Sequence, residues 1–129
     1  MSAQPPPSIV LFAHGSRDPA WRQPIEAVAA RMQALKPSAR VICAYLDLAQ
    51  PDLPTAVQTL TAAGARAITV WPMFLGAGRH AREDLPRLLA ELRARHPGIA
   101  FTLEPAIAEH PAVLEAMART ALGGNSGAE

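Results

Sequence analysis

The chain has 129 residues, which is enough for one ordinary domain and too few for two. Half of the residues are hydrophobic and 18% are charged, a balance typical of a soluble globular protein and not of a disordered or fibrous chain. The net charge of +1 argues against binding of nucleic acid, because such binding usually requires a strongly basic domain or stripe.

The first residues give no sign of export or membrane insertion. Residues 1–8 are rich in proline and contain neither a charged start nor a hydrophobic signal core, and no apolar stretch approaches the roughly 20 residues that span a bilayer. The single cysteine, Cys43, lies in an apolar run, which favours a buried thiol in a reducing compartment. We therefore expect a cytoplasmic protein with one folded domain at 9–122, between flexible tails at 1–8 and 123–129.

Four short apolar runs alternate with four segments that have helical spacing. The predicted strands are 9–13, 41–46, 67–74 and 99–103. The predicted helices lie within 21–35, from an N-cap at Asp52 to Gly64, in the segment before His96, and over 111–122. Each helix has one apolar stripe; in order, the stripes are Ile25, Val28, Ala29, Met32 and Leu35; Leu53, Ala56, Val57 and Leu60; Leu85, Leu88, Leu89 and Leu92; and Val113, Leu114, Met117 and Ala118.

Strands that alternate with helices of this length predict parallel pairing through right-handed crossovers. The predicted fold is therefore a three-layer α/β/α domain with a four-stranded parallel sheet. A flavodoxin-like strand order would place the first and third strands side by side, with helices on both faces. Ligands of such sheets bind at the carboxyl ends of the strands, where successive crossovers diverge to opposite faces.

Polar and charged side chains follow every predicted strand, and the topology brings them to one edge of the sheet; they are His14 and Arg17, Asp47, Arg79 and His80, and Glu104. Two imidazoles at one cleft can bind a divalent metal ion or exchange protons with a substrate. A nearby carboxylate would compensate charge or supply a third ligand.

Each of these residues also has an ordinary structural interpretation. A histidine after a strand can simply hydrogen-bond a turn, Asp47 can cap its loop or the second helix, and Glu104 can be a solvated strand end. His110 can help to begin the fourth helix, and His96 lies at the opposite edge, where we assign it no active role.

Two common phosphate-binding patterns are incomplete. The glycines near residue 77 lack the Lys-Ser/Thr ending of a P-loop and the spacing of a dinucleotide fingerprint. The segment His14-Gly15 follows Ala13, whereas phosphatases that use a phosphohistidine resemble Arg-His-Gly. Nucleotide binding and phosphoryl transfer are therefore not predicted.

Four ordered blocks together resemble a known family. They are HGSRDP at 14–19, LDLAQP at 46–51, PMFL at 72–75 leading to His80, and DLP at 84–86. This combination resembles the short sirohydrochlorin chelatases of the CbiX type, and the resemblance extends from about residue 9 to residue 122.

The resemblance implies an ATP-independent metallochelatase of the lyase class, a sirohydrochlorin cobaltochelatase or ferrochelatase of sirohaem or cobalamin biosynthesis. Cobalt is the first expectation, with iron or nickel as alternatives, and the metal is a substrate, so no resident cofactor is expected. The metal-handling histidines of the family correspond to His14 and His80. Asp47 occupies the position where the family usually has glutamate, and we place it with the catalytic residues. The alternative is that its carboxylate does not touch the metal or the macrocycle and only supports the residues that do.

The resemblance also implies a substrate and an assembly. Sirohydrochlorin is a polycarboxylate, and the predicted substrate-binding residues are Ser16, Arg17, Gly78, Arg79 and Arg82. Larger chelatases use two similar lobes, of which this chain resembles one, so a homodimer is expected. The main alternative is a non-catalytic carrier of tetrapyrrole or metal; a flavodoxin-like binder of anions or cofactors rests on fold analogy alone.

Overall fold

The structure, a computed structural model, describes residues 6–123 except residue 77 and the side chains of residues 80 and 81. Most of both predicted tails, residues 1–5 and 124–129, lies outside this part. The strands are β1 (Ser8–Ala13), β2 (Arg40–Tyr45), β3 (Ala67–Pro72) and β4 (Ala100–Leu103). The helices are α1 (Gln23–Leu35), α2 (Leu53–Ala62), α3 (Arg79–Arg95) and α4 (Pro111–Ala121), with short 3-10 turns at Pro19–Arg22 and Ile107–Glu109.

The four strands form one parallel sheet in the order β2-β1-β3-β4. Val10 at the centre of β1 lies opposite Ile42 of β2 and Val70 of β3. The predicted α/β class and the adjacency of the first and third strands are therefore confirmed. β1 is buried along nearly its whole length, as expected for a parallel strand covered on both faces.

The larger part of the core lies between the sheet and helices α2 and α3. It joins apolar side chains from all four strands to the stripes of these two helices, including Val10, Phe12, Ile68, Val70, Phe101, Leu53, Val57, Leu60, Leu89 and Leu92. The Asp52 carboxylate accepts a hydrogen bond from the Thr55 amide at 2.9 Å, which begins α2 as predicted and lowers the pKa of Asp52.

The other face of the sheet is covered less completely. Ile25 of α1 is buried with Leu11 and Tyr45, but Val28 and Leu35 of the predicted stripe are 40% and 67% exposed. The helix begins at Gln23, after a 3-10 turn capped by Asp18, and so lies within the predicted bounds. Cys43 is half-buried on this face, and burial raises the pKa of its thiol.

The stripe predicted on α4 is present but uncovered. All of α4 is described, and none of its residues is buried; Leu114 is 55% exposed. The helix packs against the turn Ile107–Glu109 instead of lying on the sheet. It begins where the Nδ1 atom of His110 accepts a hydrogen bond from the Ala112 amide at 3.2 Å, so the structural interpretation of this histidine is confirmed.

Two predicted strand ends are wrong, and both errors concern the edge that carries the candidate site. β2 ends at Tyr45, because the following loop folds back so that the Tyr45 amide donates to the carbonyl of Pro51. β3 ends at Pro72. Leu46 and Phe74, predicted within strands, therefore lie in loops.

β1 begins at Ser8, which is buried and pairs with Arg40 and Ile68, so the folded region starts one residue before the predicted boundary. Among the described residues, no helix has both the length and the apolar character needed to cross a membrane.

The unequal burial of leucines gives a stability prediction. Leu89 is fully buried in the larger core, so Leu89→Ala should lower the free energy of unfolding by about 2–5 kcal/mol through lost apolar burial and a residual cavity. Leu35→Ala, at a 67% exposed position, should change it by less than about 0.5 kcal/mol. Urea unfolding followed by circular dichroism measures both; equal losses would contradict the described packing.

Candidate active site

His14 follows β1 at the carboxyl edge of the sheet, and its side chain is exposed. The imidazole lies over the ring of Phe74, with ring centroids 4.4 Å apart and planes inclined by 32°. Phe74 is itself buried and makes an edge-to-face contact with Phe12, at 6.4 Å between centroids. The core thus supports one side of the imidazole, while the ring stays accessible from solvent.

The backbone of this histidine is held against the loop that follows β2. The Leu46 amide donates to the carbonyl of Ala13 at 2.8 Å, and the Asp47 amide donates to the carbonyl of His14 at 2.9 Å. Gly15 makes this approach possible: it has a φ of +102°, and a Cβ atom placed there would lie 1.7 Å from the Asp47 carbonyl oxygen.

Asp47 has a local structural role, which is one of the two interpretations given by the sequence. Its carboxylate accepts a hydrogen bond from the Leu48 amide at 2.8 Å. Among the described residues, Leu48 is the only one other than glycine with a positive φ, at +65°. The carboxylate is nevertheless exposed, so it can still meet a ligand from solvent.

The two predicted substrate-binding residues that follow His14, Ser16 and Arg17, differ in their contacts. The Ser16 hydroxyl accepts a hydrogen bond from the Asp18 amide at 3.1 Å, and the Asp18 carboxylate accepts one from the Ala20 amide at 2.9 Å. Ser16 therefore helps to shape the turn that leads into α1. The side chain of Arg17 is exposed.

The loop after β3 brings the beginning of α3 to the same edge, because β3 lies beside β1. Gly78 is the N-cap residue, and as a glycine it makes no side-chain capping hydrogen bond. Arg79 forms an exposed ion pair with Glu83 at 3.3 Å, and Arg82 is also exposed. His80 is in the first turn of α3, but its side chain lies outside the described part, so its proximity to His14 stays a prediction.

The described donors do not form a multidentate metal site by themselves. Within that part of the chain, no group of three or more His, Cys, Asp or Glu side chains could hold a metal ion. Glu104 is half-buried and lines a pocket with Arg82, next to β4. The predicted metal-handling pair therefore requires the side chain of His80.

Pockets flank the end of β1 on both faces of the sheet. On the α3 side, a pocket of about 230 Å³ is lined by Phe12, Leu46 and Leu85, with Asp84 and Arg87 as polar neighbours. On the α1 side, a wider pocket of about 430 Å³ is lined by other apolar side chains: Ala13, Ala20, Trp21, Pro24, Ile25, Val28 and Met73. His14 thus lies at an edge of the sheet that has a largely apolar pocket on each face.

Sequence reasoning missed the apolar residues of this edge. Leu46, Leu48 and Leu75 are 46%, 50% and 78% exposed, and Phe74 supports the imidazole. The available signal was the presence of large apolar residues next to the polar positions that follow two strands. It was lost because Leu46 and Phe74 were assigned to the strands.

The requirement for a glycine next to His14 can be tested by Gly15→Ala. The added Cβ atom would clash with the Asp47 carbonyl in a conformation unfavourable for alanine, so the free energy of unfolding should fall by about 2 kcal/mol or more. Gly98→Ala is the matched control, because no described atom lies within 4 Å of a Cβ placed there. Denaturant titration compares the two variants, and similar small effects would exclude a constraint at Gly15.

Known proteins resemble this chain in sequence and in fold. The CbiX family model matches residues 8–122. A sirohydrochlorin cobaltochelatase from Methanopyrus kandleri is 33% identical over 82 residues, which are 64% of this chain and 57% of that protein. The chain thus spans little more than half the length of the first curated relatives that it matches.

Two crystal structures share the fold. The CbiX protein from Marinobacter aquaeolei VT8 has a TM-score of 0.79 and 34% identity, and the match covers 92% of this chain and 96% of that one. The sirohydrochlorin chelatase SirB from Bacillus subtilis subspecies spizizenii, in complex with cobalt, has a TM-score of 0.68 and 27% identity over 78% of this chain and 43% of its own. The shared fold and the match to the family model over nearly all of the described residues establish that the chain belongs to the CbiX family.

Proposed function

We propose that this protein is a metallochelatase that inserts a divalent metal ion, cobalt in the first instance, into sirohydrochlorin without ATP. The observation that carries the proposal is the exposed His14 on its aromatic support, at the carboxyl edge of a CbiX-family sheet. The metal ion is a substrate in this reaction, and the protein needs no resident cofactor. We expect the reaction to take place in the cytoplasm.

His14 has the chemistry that metal insertion requires. A neutral imidazole binds first-row divalent ions and accepts protons near neutral pH, so it can deliver the ion and take up a proton from a macrocycle nitrogen. Because Phe74 covers one side of the ring, the incoming macrocycle approaches from the solvent side. His80, by its position in the first turn of α3, is the proposed second histidine.

Positive charge near this edge suits a polycarboxylate substrate. Arg17, Arg79 and Arg82 are exposed, and α3 directs its amino-terminal end, with its partial positive charge, toward the same loops. The ion pair between Arg79 and Glu83 is exposed and spans one helical turn, so it contributes only about 0.3–0.5 kcal/mol. A substrate carboxylate can therefore replace Glu83 at little cost.

The activity can be tested by following the visible spectrum of sirohydrochlorin anaerobically with cobalt, nickel or ferrous iron. Substoichiometric protein should accelerate metal insertion, and His14→Ala or His80→Ala should each lower the rate by about 100-fold or more, because positioned acid–base groups contribute on that scale. His14 is exposed, so its variant should unfold at the same denaturant concentration as the natural protein.

His96→Ala is the matched control for this experiment. His96 ends α3 at the opposite edge of the sheet, where its ring lies near Phe101, so metal insertion should be retained. If the natural protein binds the macrocycle stoichiometrically but metal insertion is no faster than without protein, the protein is a carrier and the enzyme proposal is wrong.

We also propose that the protein acts as a homodimer, in which the second copy supplies the other lobe of the cleft. Two observations support this proposal. The match to SirB covers 43% of that longer chain, and the apolar stripe of α4 is uncovered in the single chain, with Leu114 and Met117 exposed. A closed two-fold dimer would bury the same surface on both copies.

The double variant Leu114→Glu, Met117→Glu should therefore sediment as a folded monomer while the natural protein sediments as a dimer, because buried charge opposes association. Ala116→Glu, on the same helix but away from the stripe, should leave the dimer intact. Sedimentation velocity across a concentration series measures both variants. A strictly monomeric natural protein would exclude the dimer.

A further inference from the structure

We infer that Leu46, Leu48 and Leu75 form an apolar seat, which contacts the ring plane of the macrocycle on both sides of His14. This inference rests on the proposed function, to which it adds the residues that bind the apolar part of the substrate. We refer to these three residues as the leucine seat.

The leucine seat is exposed to solvent. The three side chains are 46%, 50% and 78% exposed, although leucine is normally among the most buried residue types. A single exposed leucine needs no explanation, whereas several at one edge of a domain indicate a surface that a ligand covers. All three lie in the loops that follow β2 and β3.

The loops that carry the leucine seat lie next to the loop that carries His14. The strand order β2-β1-β3 places the β2 loop on one side of this histidine and the β3 loop on the other. The Leu46 amide binds the carbonyl of Ala13 at 2.8 Å, and Leu75 directly follows Phe74, whose ring supports the imidazole at 4.4 Å. The seat therefore flanks the proposed metal-delivering group.

The backbone of Leu48 has an unusual conformation. A φ of +65° is unfavourable for leucine, and glycine or asparagine would adopt it more readily. The Asp47 carboxylate holds this conformation by accepting the Leu48 amide hydrogen bond at 2.8 Å. A strained, half-exposed leucine next to a candidate site indicates that its side chain is used there. Asp47 is then a positioning residue for the seat.

Positive charge at the same edge indicates the chemistry of the molecule that the leucine seat binds. Exposed guanidinium groups of Arg17, Arg79 and Arg82 belong to the same edge, so this edge combines apolar and cationic side chains. A flat macrocycle with peripheral carboxylates has the complementary pattern. Leu46 also lines the pocket of about 230 Å³ beside Phe12, so the apolar surface continues into a recess.

The test is the affinity for metal-free sirohydrochlorin, measured by absorption or fluorescence titration and separately from turnover. Leu46→Ser and Leu75→Ser should each raise the Kd by about 10-fold, which corresponds to about 1.4 kcal/mol, and the double variant should raise it further. Unfolding midpoints should stay unchanged, because both side chains are exposed.

Leu35→Ser is the matched control. This leucine is 67% exposed but ends α1 just before β2 begins, at the opposite edge of the sheet, so its replacement should leave the Kd unchanged. An equal effect of Leu35→Ser and Leu75→Ser on the Kd would overturn the inference. So would seat variants that dissociate a dimer without weakening macrocycle binding, since the seat would then contact a second copy.

Failure of the proposed enzymatic activity and failure of the leucine seat give different experimental results. If the natural protein binds sirohydrochlorin but does not accelerate metal insertion, the enzymatic proposal fails while the Kd values of the seat variants still decide the inference. If turnover is observed and the seat variants keep the natural Kd, the inference fails alone. If the natural protein does not bind the macrocycle, both fail.

Discussion

The candidate site depends on one close backbone approach between two loops. The segment after β1 and the segment after β2 meet where the Asp47 amide donates to the carbonyl of His14, and only a glycine at position 15 leaves room for the Asp47 carbonyl. This contact sets the position of His14, of the Asp47 carboxylate and of the strained Leu48 in a single arrangement. Phe74 then supports one side of the imidazole.

The sequence was sufficient for features that depend on local patterns. The βα alternation predicted the parallel sheet, Asp52 marked the beginning of α2, and the end of β1 placed His14 at the ligand-binding edge. Strand ends were less predictable, because Leu46 and Phe74 continue an apolar run after sheet pairing has stopped. Hydropathy reports that a residue is apolar, whereas the end of a strand depends on backbone hydrogen bonds such as that from Tyr45 to Pro51.

The stripe on α4 illustrates a second limit. Its spacing showed which side of the helix is apolar, but spacing does not specify the surface that covers that side, and Leu114 has no buried neighbour on its own helix. The role of Ser16 as a hydrogen-bond acceptor in a turn was likewise beyond prediction, because it depends on the local path of the backbone, whereas a loop-capping role of Asp47 was one of the predicted alternatives. These polar groups shape the loops from which His14 and Leu48 are presented.

The contact between Phe74 and His14 makes the candidate site depend on the packing of the core. Phe74 belongs to the same buried cluster as Phe12, Val70 and Leu85, so the support for the imidazole is built from residues that also stabilise the fold. A substitution that repacks this cluster would tilt the histidine as well as alter stability. In the proposed chelatase, metal preference would therefore change more readily through the exposed loops than through the core, where folding and the proposed activity would constrain the same side chains.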